Sequence, residues 1–211
     1  MQGIKHIIFD LGGVLLNIDY QLTEDAFVKL GLSDFAARYT QAQQIDFFSK
    51  YETGQITTAE FVATLKTWLP VVVADAQIIE AWNAMLLDFP LRRLQILQQL
   101  QLHYDIVLLS NTNELHEIAF NQKLKEVCGY NQLSVFFDRV YYSHRIGKRK
   151  PDTQTFEYVI ADTGFDPKHT LFIDDSPQHI AGASSIGIQT IWLEKGMSIE
   201  EHIFKPKPVY Q

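Results

Sequence analysis

Four short stretches bring together the residue types that can do chemistry: Asp10-Leu11-Gly12-Gly13-Val14, Ser110-Asn111-Thr112-Asn113, Gly147-Lys148-Arg149-Lys150-Pro151 and Asp174-Asp175-Ser176. They supply carboxylates, a hydroxyl and a lysine. A carboxylate can attack phosphorus and form an acyl phosphate. Further carboxylates suit Mg²⁺, which takes hard oxygen ligands and keeps several waters. A serine hydroxyl, backbone N–H groups at a helix start and a lysine neutralise phosphoryl oxygens. Each stretch alone has a plainer reading. Asp10 can cap a turn, Ser110 to Asn113 can cap a helix, Lys148 to Lys150 can be a solvated basic turn, and Asp174-Asp175-Ser176-Pro177 can be an N-cap with proline at N1. Their joint order favours a site, because each follows an apolar run that reads as a strand.

Those runs are Ile4–Phe9, Asp105–Leu109, Arg139–Tyr142, Thr170–Ile173 and Ile188–Leu193. They are rich in Ile, Val and Leu without polar alternation, as expected of parallel strands covered on both faces. Helical patterns lie between the later ones: Leu91–Gln101, Asn113–Val127, Pro151–Thr163 with proline at N1, and Pro177–Ile186. Alternating strands and helices predict a doubly wound α/β parallel sheet with right-handed crossovers. In such a sheet ligands bind beyond the carboxyl ends of the strands, where the strand order reverses. Residues 17–90 break the rhythm, with helical patterns at Leu22–Leu30, Ser33–Ser49, Thr58–Thr67 and Ala76–Leu87. They predict an all-helical insertion. Within it Tyr51 and Glu52, beside Gly54, are the candidates for a loop that faces a substrate.

Composition narrows the classes. The net charge of -7 argues against a nucleic-acid partner but not against a small phosphorylated one. The single cysteine, Cys128, excludes an intrachain disulfide and a cysteine-based zinc cage. The apolar start Ile4–Phe9 is too short for a signal peptide, and Trp68 to Ala74 is far short of a membrane span. A cytoplasmic protein without membrane association is the expectation. The seven histidines show no metal-ligand spacing, so His116, His144 and His179 read as polar contacts near strand ends. Dinucleotide and Walker fingerprints are absent. Oligomeric state is not legible.

Phe9-Asp10-Leu11-Gly12-Gly13-Val14-Leu15 resembles the first motif of the haloacid dehalogenase-like superfamily. Ser110-Asn111-Thr112-Asn113 resembles the second, Lys150-Pro151 the third and Phe172-Ile173-Asp174-Asp175-Ser176 the fourth. The likeness covers nearly the whole chain and is greatest to an Asp-Leu-Gly branch that includes a bacterial sugar-1-phosphate phosphatase. It implies a five-stranded sheet of order 5-4-1-2-3, a Rossmann-like core over 1–16 and 91–211, and a helical cap over 17–90. It also implies a Mg²⁺-dependent phosphomonoester hydrolase acting on a small metabolite, a sugar phosphate among the candidates. In this reading Asp10 is the nucleophile, and Lys150 acts with it. Ser110, Asn111 and Lys150 bind phosphate, and Glu52 contacts substrate. Asp10, the Gly12 carbonyl, Asp174 and Asp175 hold the metal. Most phosphatases of the superfamily carry a second aspartate, a general acid and base, where this chain has Gly12. Asp19 and His179 are the candidate substitutes; without one, sugar 1-phosphates and aryl phosphates should be preferred. A 2-haloacid dehalogenase and a catalytically inert binding protein of the same fold remain as alternatives.

Overall fold

The computed structural model describes residues 3–37, 39 and 47–205. Five parallel strands, β1 (His6–Phe9), β2 (Asp105–Ser110), β3 (Arg139–Tyr142), β4 (Thr170–Asp174) and β5 (Gln189–Trp192), form one sheet of order β3-β2-β1-β4-β5. This is the expected order. Successive strand residues point to opposite faces, and both faces are covered. Ile7, Phe9, Ile106, Leu108, Leu171 and Ile173 pack into one apolar cluster. Ile8, Val107, Leu109 and Phe172 pack into another on the other side, with Phe156, Val159 and Ala183.

Register places the strand ends. Phe9 lies beside Leu108 of β2 and Ile173 of β4. The next residue, Asp10, therefore comes level with Leu109 and Asp174, and its N–H donates to the Ile173 carbonyl at 3.0 Å. Three neighbouring strands thus end at one height, with Ser110 one residue further out.

Between β1 and β2 run α1 (Tyr20–Lys29), α2 (Phe47–Glu52), α3 (Thr58–Trp68), α4 (Asp75–Asn83) and α5 (Leu91–Leu100). The first four surround a cluster of their own, in which Phe27, Phe48, Phe61 and Trp82 are buried. α3 begins one residue after its cap: Thr57 accepts from the Glu60 N–H, and Glu60 reaches back to the Thr57 N–H, a capping box. Two chain crossings join this bundle to the sheet. Ile18 and Leu86 form an antiparallel bridge, flanked by Asn17 N–H to the Asp88 carbonyl and Asp19 N–H to the Met85 carbonyl, both 2.9 Å.

Beyond β2 lie α6 (Glu114–Cys128), the short α7 (Ser143–Ile146), α8 (Thr153–Thr163) and α9 (Pro177–Ser185). Several boundaries differ from the sequence expectation: α1 starts at Tyr20 and α4 ends at Asn83, four residues before Leu87. Pro151 is not at N1: it follows Lys150 through a cis peptide bond, and α8 starts at Thr153 after Asp152. The expected helix at Ser33–Ser49 falls largely on residues 38 and 40–46, which lie outside the described part; at its end α2 runs from Phe47 to Glu52. Residues 199–204, after β5, return to the core. Ile199 is buried against the core, Phe204 packs beside Phe9, and Glu200 pairs with the buried Arg93 at 2.9 Å.

Where α4 meets α6, Trp82 stacks on His116, whose Nε2 donates to the Trp82 carbonyl at 3.2 Å. Burial depresses His116 from 6.5 to about 4, with the hydrogen bond opposing it. Above pH 6.5 neither the folded nor the unfolded state protonates it. As pH falls from about 6.5 to about 4 the unfolded chain gains a proton that the fold refuses, so stability falls over that window. We predict that urea unfolding of His116→Gln loses roughly 2–3 kcal/mol less stability between pH 7.5 and 4.5 than the parent protein. Identical losses in the two proteins would refute the assignment.

Candidate active site

The levelled strand ends converge on one ammonium group. Lys150 Nζ donates to Asp10 Oδ1 at 2.7 Å, to Asp174 Oδ2 at 2.7 Å and to the Leu109 carbonyl at 2.9 Å. These are the three donors an ammonium owns. Lys150 is fully buried, so each bond offsets the cost of taking the charge out of water. Its backbone is held too: Asn111 Oδ1 accepts from the Lys150 N–H at 2.9 Å, and Asn111 Nδ2 donates to the Lys150 carbonyl at 2.8 Å. Thr155 Oγ1 then donates to the Arg149 carbonyl at 2.7 Å, tying the loop to α8.

Asp10, Asp174 and Asp175 each place a carboxylate oxygen within 4.8 Å of the others. Asp174 is fully buried and its oxygens are engaged on all sides. Besides Lys150, it accepts from the Ser176 N–H at 2.7 Å, and His179 Nδ1 lies 3.0 Å from both oxygens. Burial pushes its pKa up, but the Lys150 charge and the His179 hydrogen bond and charge outweigh that, leaving it below the ordinary range. Asp10 moves the other way: burial raises it, Lys150 lowers it, and the Asp174 and Asp175 charges add to the rise. Asp10 has only one of these donors, so burial, with the neighbouring negative charge added, prevails over Lys150. Asp175 is pushed up to about 6, by burial and then by Asp174. Clustered hard oxygens that resist sharing negative charge are a fitting donor set for a divalent cation.

The two glycines after Asp10 have different reasons. Gly13 sits at φ 74°, and a Cβ there would collide with the Asp175 carboxylate, so glycine lets that acid close on the first strand end. At Gly12 the contact is tighter than ordinary packing: a Cβ would lie 3.1 Å from Ile18 Cδ1, so a side chain there would require Ile18, at the crossing into the helical bundle, to give way.

These residues open into a cavity of about 780 Å³ between the sheet and the helices. Asp10, Gly12, Ser110, Asn111, Lys150 and Asp175 line its sheet end. Glu52, Ser49, Phe48, Tyr20 and Arg149 line the helical end. Of the loop candidates only Glu52 faces this space. Tyr51 is buried, its hydroxyl 2.9 Å from Thr58 Oγ1 and accepting the Leu115 N–H at 3.3 Å. Gly54 packs on the His144 carbonyl, leaving no room for a Cβ. Both hold helices against the sheet rather than meeting a substrate. Of the two substitute acids, His179 lines the cavity, whereas Asp19 is exposed and caps α1 by accepting the Gln21 N–H. His144 pairs with Glu117 at 3.1 Å. Tyr20 and Arg149 are lining residues that the sequence did not single out; the signal for Arg149 was its place next to Lys150.

The model of the haloacid dehalogenase-like hydrolase family matches residues 4–187. The chain is a haloacid dehalogenase-like hydrolase. It is 31% identical over 193 residues to D-ribitol-5-phosphate phosphatase of Bacteroides thetaiotaomicron, covering 92% of this chain and 93% of that one. A crystal structure of a HAD family enzyme from the same organism, in complex with magnesium and inorganic phosphate, superposes with a TM-score of 0.83 at 34% identity, over 96% of this hydrolase and all of that chain. L-2-haloacid dehalogenase of Xanthobacter autotrophicus has a TM-score of 0.59 at 19% identity, covering 90% and 77% of the two chains, a likeness of fold alone. Among the described residues no helix of this hydrolase is long and apolar enough to cross a membrane.

The packing at Gly12 gives a test. Gly12→Asp should cost about 1–3 kcal/mol through crowding with Ile18. Ile18→Val, which removes the Cδ1 atom in the way, should recover most of that in the double variant. The readout is thermal unfolding of the four proteins in the cycle; strictly additive effects would rule out the contact as the cause.

Proposed function

We propose that this hydrolase is a Mg²⁺-dependent phosphomonoesterase for a small phosphorylated polyol or sugar, working through an aspartyl phosphate on Asp10. The observation that carries this reading is the buried Lys150 Nζ, 2.7 Å from both Asp10 and Asp174, with Asp175 alongside. A fixed cation beside a carboxylate at a strand end aims that carboxylate and opposes the burial that disfavours its ionised form, as a nucleophile requires.

In the proposed sequence Asp10 attacks phosphorus, the P–O bond to the alcohol breaks, and water then cleaves the acyl phosphate and restores the carboxylate. Ser110, at the end of β2 and lining the cavity, is placed to donate to a phosphoryl oxygen. Lys150 contributes charge from behind Asp10. Asn111 serves by clasping Lys150. Asp10, Asp175 and the Gly12 carbonyl would hold Mg²⁺, which when bound neutralises charge on the phosphoryl oxygens. Asp174, whose oxygens are engaged by Lys150, His179 and the Ser176 N–H, would add its charge to the metal site rather than a free ligand atom. Glu52 is the residue of the helical end that meets the rest of the substrate.

We further propose residues 17–90 as the cap and residues 1–16 and 91–211 as the core. The substrate class rests on the Bacteroides relative, named for a pentitol 5-phosphate. That is a phosphate on a primary alcohol, not on an anomeric carbon, so primary esters join the 1-phosphates expected from the missing acid. His179, in the cavity, is then the better placed proton donor of the two candidates.

Asp10→Asn should fold as the parent does and lose roughly 10⁴-fold or more in turnover of a phosphoester panel assayed with Mg²⁺. The parent should lose its activity in EDTA and regain it with added Mg²⁺. Retained turnover in Asp10→Asn, or activity indifferent to EDTA, would overturn the reading.

A further inference from the structure

The helical end of the cavity holds an ion pair. Arg149 Nη2 lies 2.9 Å from Glu52 Oε2, and Arg149 Nη1 donates to Ser49 Oγ at 2.7 Å. Ser49 and Glu52 are three residues apart on α2 and so share the face turned to the core. Arg149 reaches them from the loop that carries Lys150, so the pair spans the two sides of the cavity. Its side chains are 35% and 22% exposed, for Arg149 and Glu52 respectively, so both keep a surface open. Around them the described lining residues are aromatic or apolar: Tyr20, Phe48, Met85 and Leu86. His116, which also lines the cavity, stays neutral at physiological pH. Among the described lining residues the helical end therefore carries one cation paired with one anion.

We propose that Arg149 and Glu52 together form a specificity element that admits phosphoesters with an uncharged, hydroxylated leaving group and rejects those bearing a second anionic group. This rests on the phosphatase reading above and goes beyond it in assigning Arg149 and the sign of the selection. A guanidinium facing a cavity binds carboxylate or phosphate through its fork. Here Glu52 lies at ion-pair distance from one end of that fork and Ser49 accepts from the other, so a second anion on the substrate meets a cation whose charge Glu52 already offsets and, beside it, a like charge. A hydroxyl suffers neither penalty, because it can donate to a carboxylate or accept from a guanidinium. Discrimination of this kind comes from a built-in repulsion as much as from attraction.

The test compares kcat/KM for D-ribitol 5-phosphate with that for 3-phosphoglycerate, with p-nitrophenyl phosphate as a common reference. The parent protein should favour the pentitol ester. Glu52→Gln frees the guanidinium and should raise kcat/KM for 3-phosphoglycerate roughly 10- to 100-fold, mostly through KM, as one charge-assisted hydrogen bond allows. Arg149→Gln should shift the ratio of the two substrates in the opposite direction, and Glu52→Gln with Arg149→Gln should erase the gain. The inference is overturned if Glu52→Gln moves both substrates by the same factor, or if the gain survives loss of Arg149. Hydrolysis of p-nitrophenyl phosphate without any such switch refutes this inference alone. A parent protein inert toward all three esters refutes the phosphatase reading and this inference with it.

Discussion

A single buried ammonium sets the terms for the site. Lys150 is fully buried, and it is accommodated because three strand ends offer acceptors at one height. That height follows from register: Phe9 opposite Leu108 and Ile173 brings Asp10 level with Leu109 and Asp174. Removing one partner of a buried ion pair costs about 3–5 kcal/mol, because the other charge is left uncompensated. Asp174 is thus held to its place by Lys150, and Lys150 by Asn111 and the Thr155 tie of its loop. The arrangement leaves Asp10 with one hydrogen-bonded cation and two negative neighbours, a carboxylate that gains from a further positive charge.

The helical bundle closes the far end of the cavity, while the three clustered carboxylates and Lys150 all come from the sheet side. Its own aromatic cluster stabilises it, and it meets the sheet side at small, specific contacts. Trp82 lies on His116, Thr58 bonds Glu114, and Gly54 lies on the His144 carbonyl. Two short chain crossings anchor it, and one of them delivers Ile18 against Gly12 and Tyr20 into the cavity. The proposed phosphate site and the proposed specificity pair are thereby kept close, since Arg149 and Lys150 are neighbours in one loop. One faces the acids of the sheet, and the other faces α2.

How much of this was legible follows from the physics of each part. The strands were readable because they are covered on both faces and so carry unbroken apolar runs. The sheet-end acids were readable because each follows such a run. The orientation of α2 was not, because its sequence, Phe47 to Glu52, is aromatic and charged on several sides and three-residue steps decide what faces the cavity. Tyr51 and Gly54 were therefore expected at a substrate loop but pack at the seam. Arg149 was hidden in Lys148-Arg149-Lys150, whose composition equals that of a solvated turn. Pro151 looked like a helix N1 residue, but the helix waits for Asp152. Gly12 was read as a missing acid; that Ile18 crowds the space beside it depends on the fold of the crossing, which spacing along the chain does not reveal.

The most direct measurement of the central claim is a crystal structure of this hydrolase grown with Mg²⁺ and beryllofluoride, a mimic of a phosphoryl group on a carboxylate. The account predicts the mimic attached to an oxygen of Asp10, with Lys150 Nζ still within hydrogen-bonding distance of that side chain and Asp175 on the metal. A mimic bound elsewhere in the cavity, or a metal site that leaves out Asp10, would contradict it.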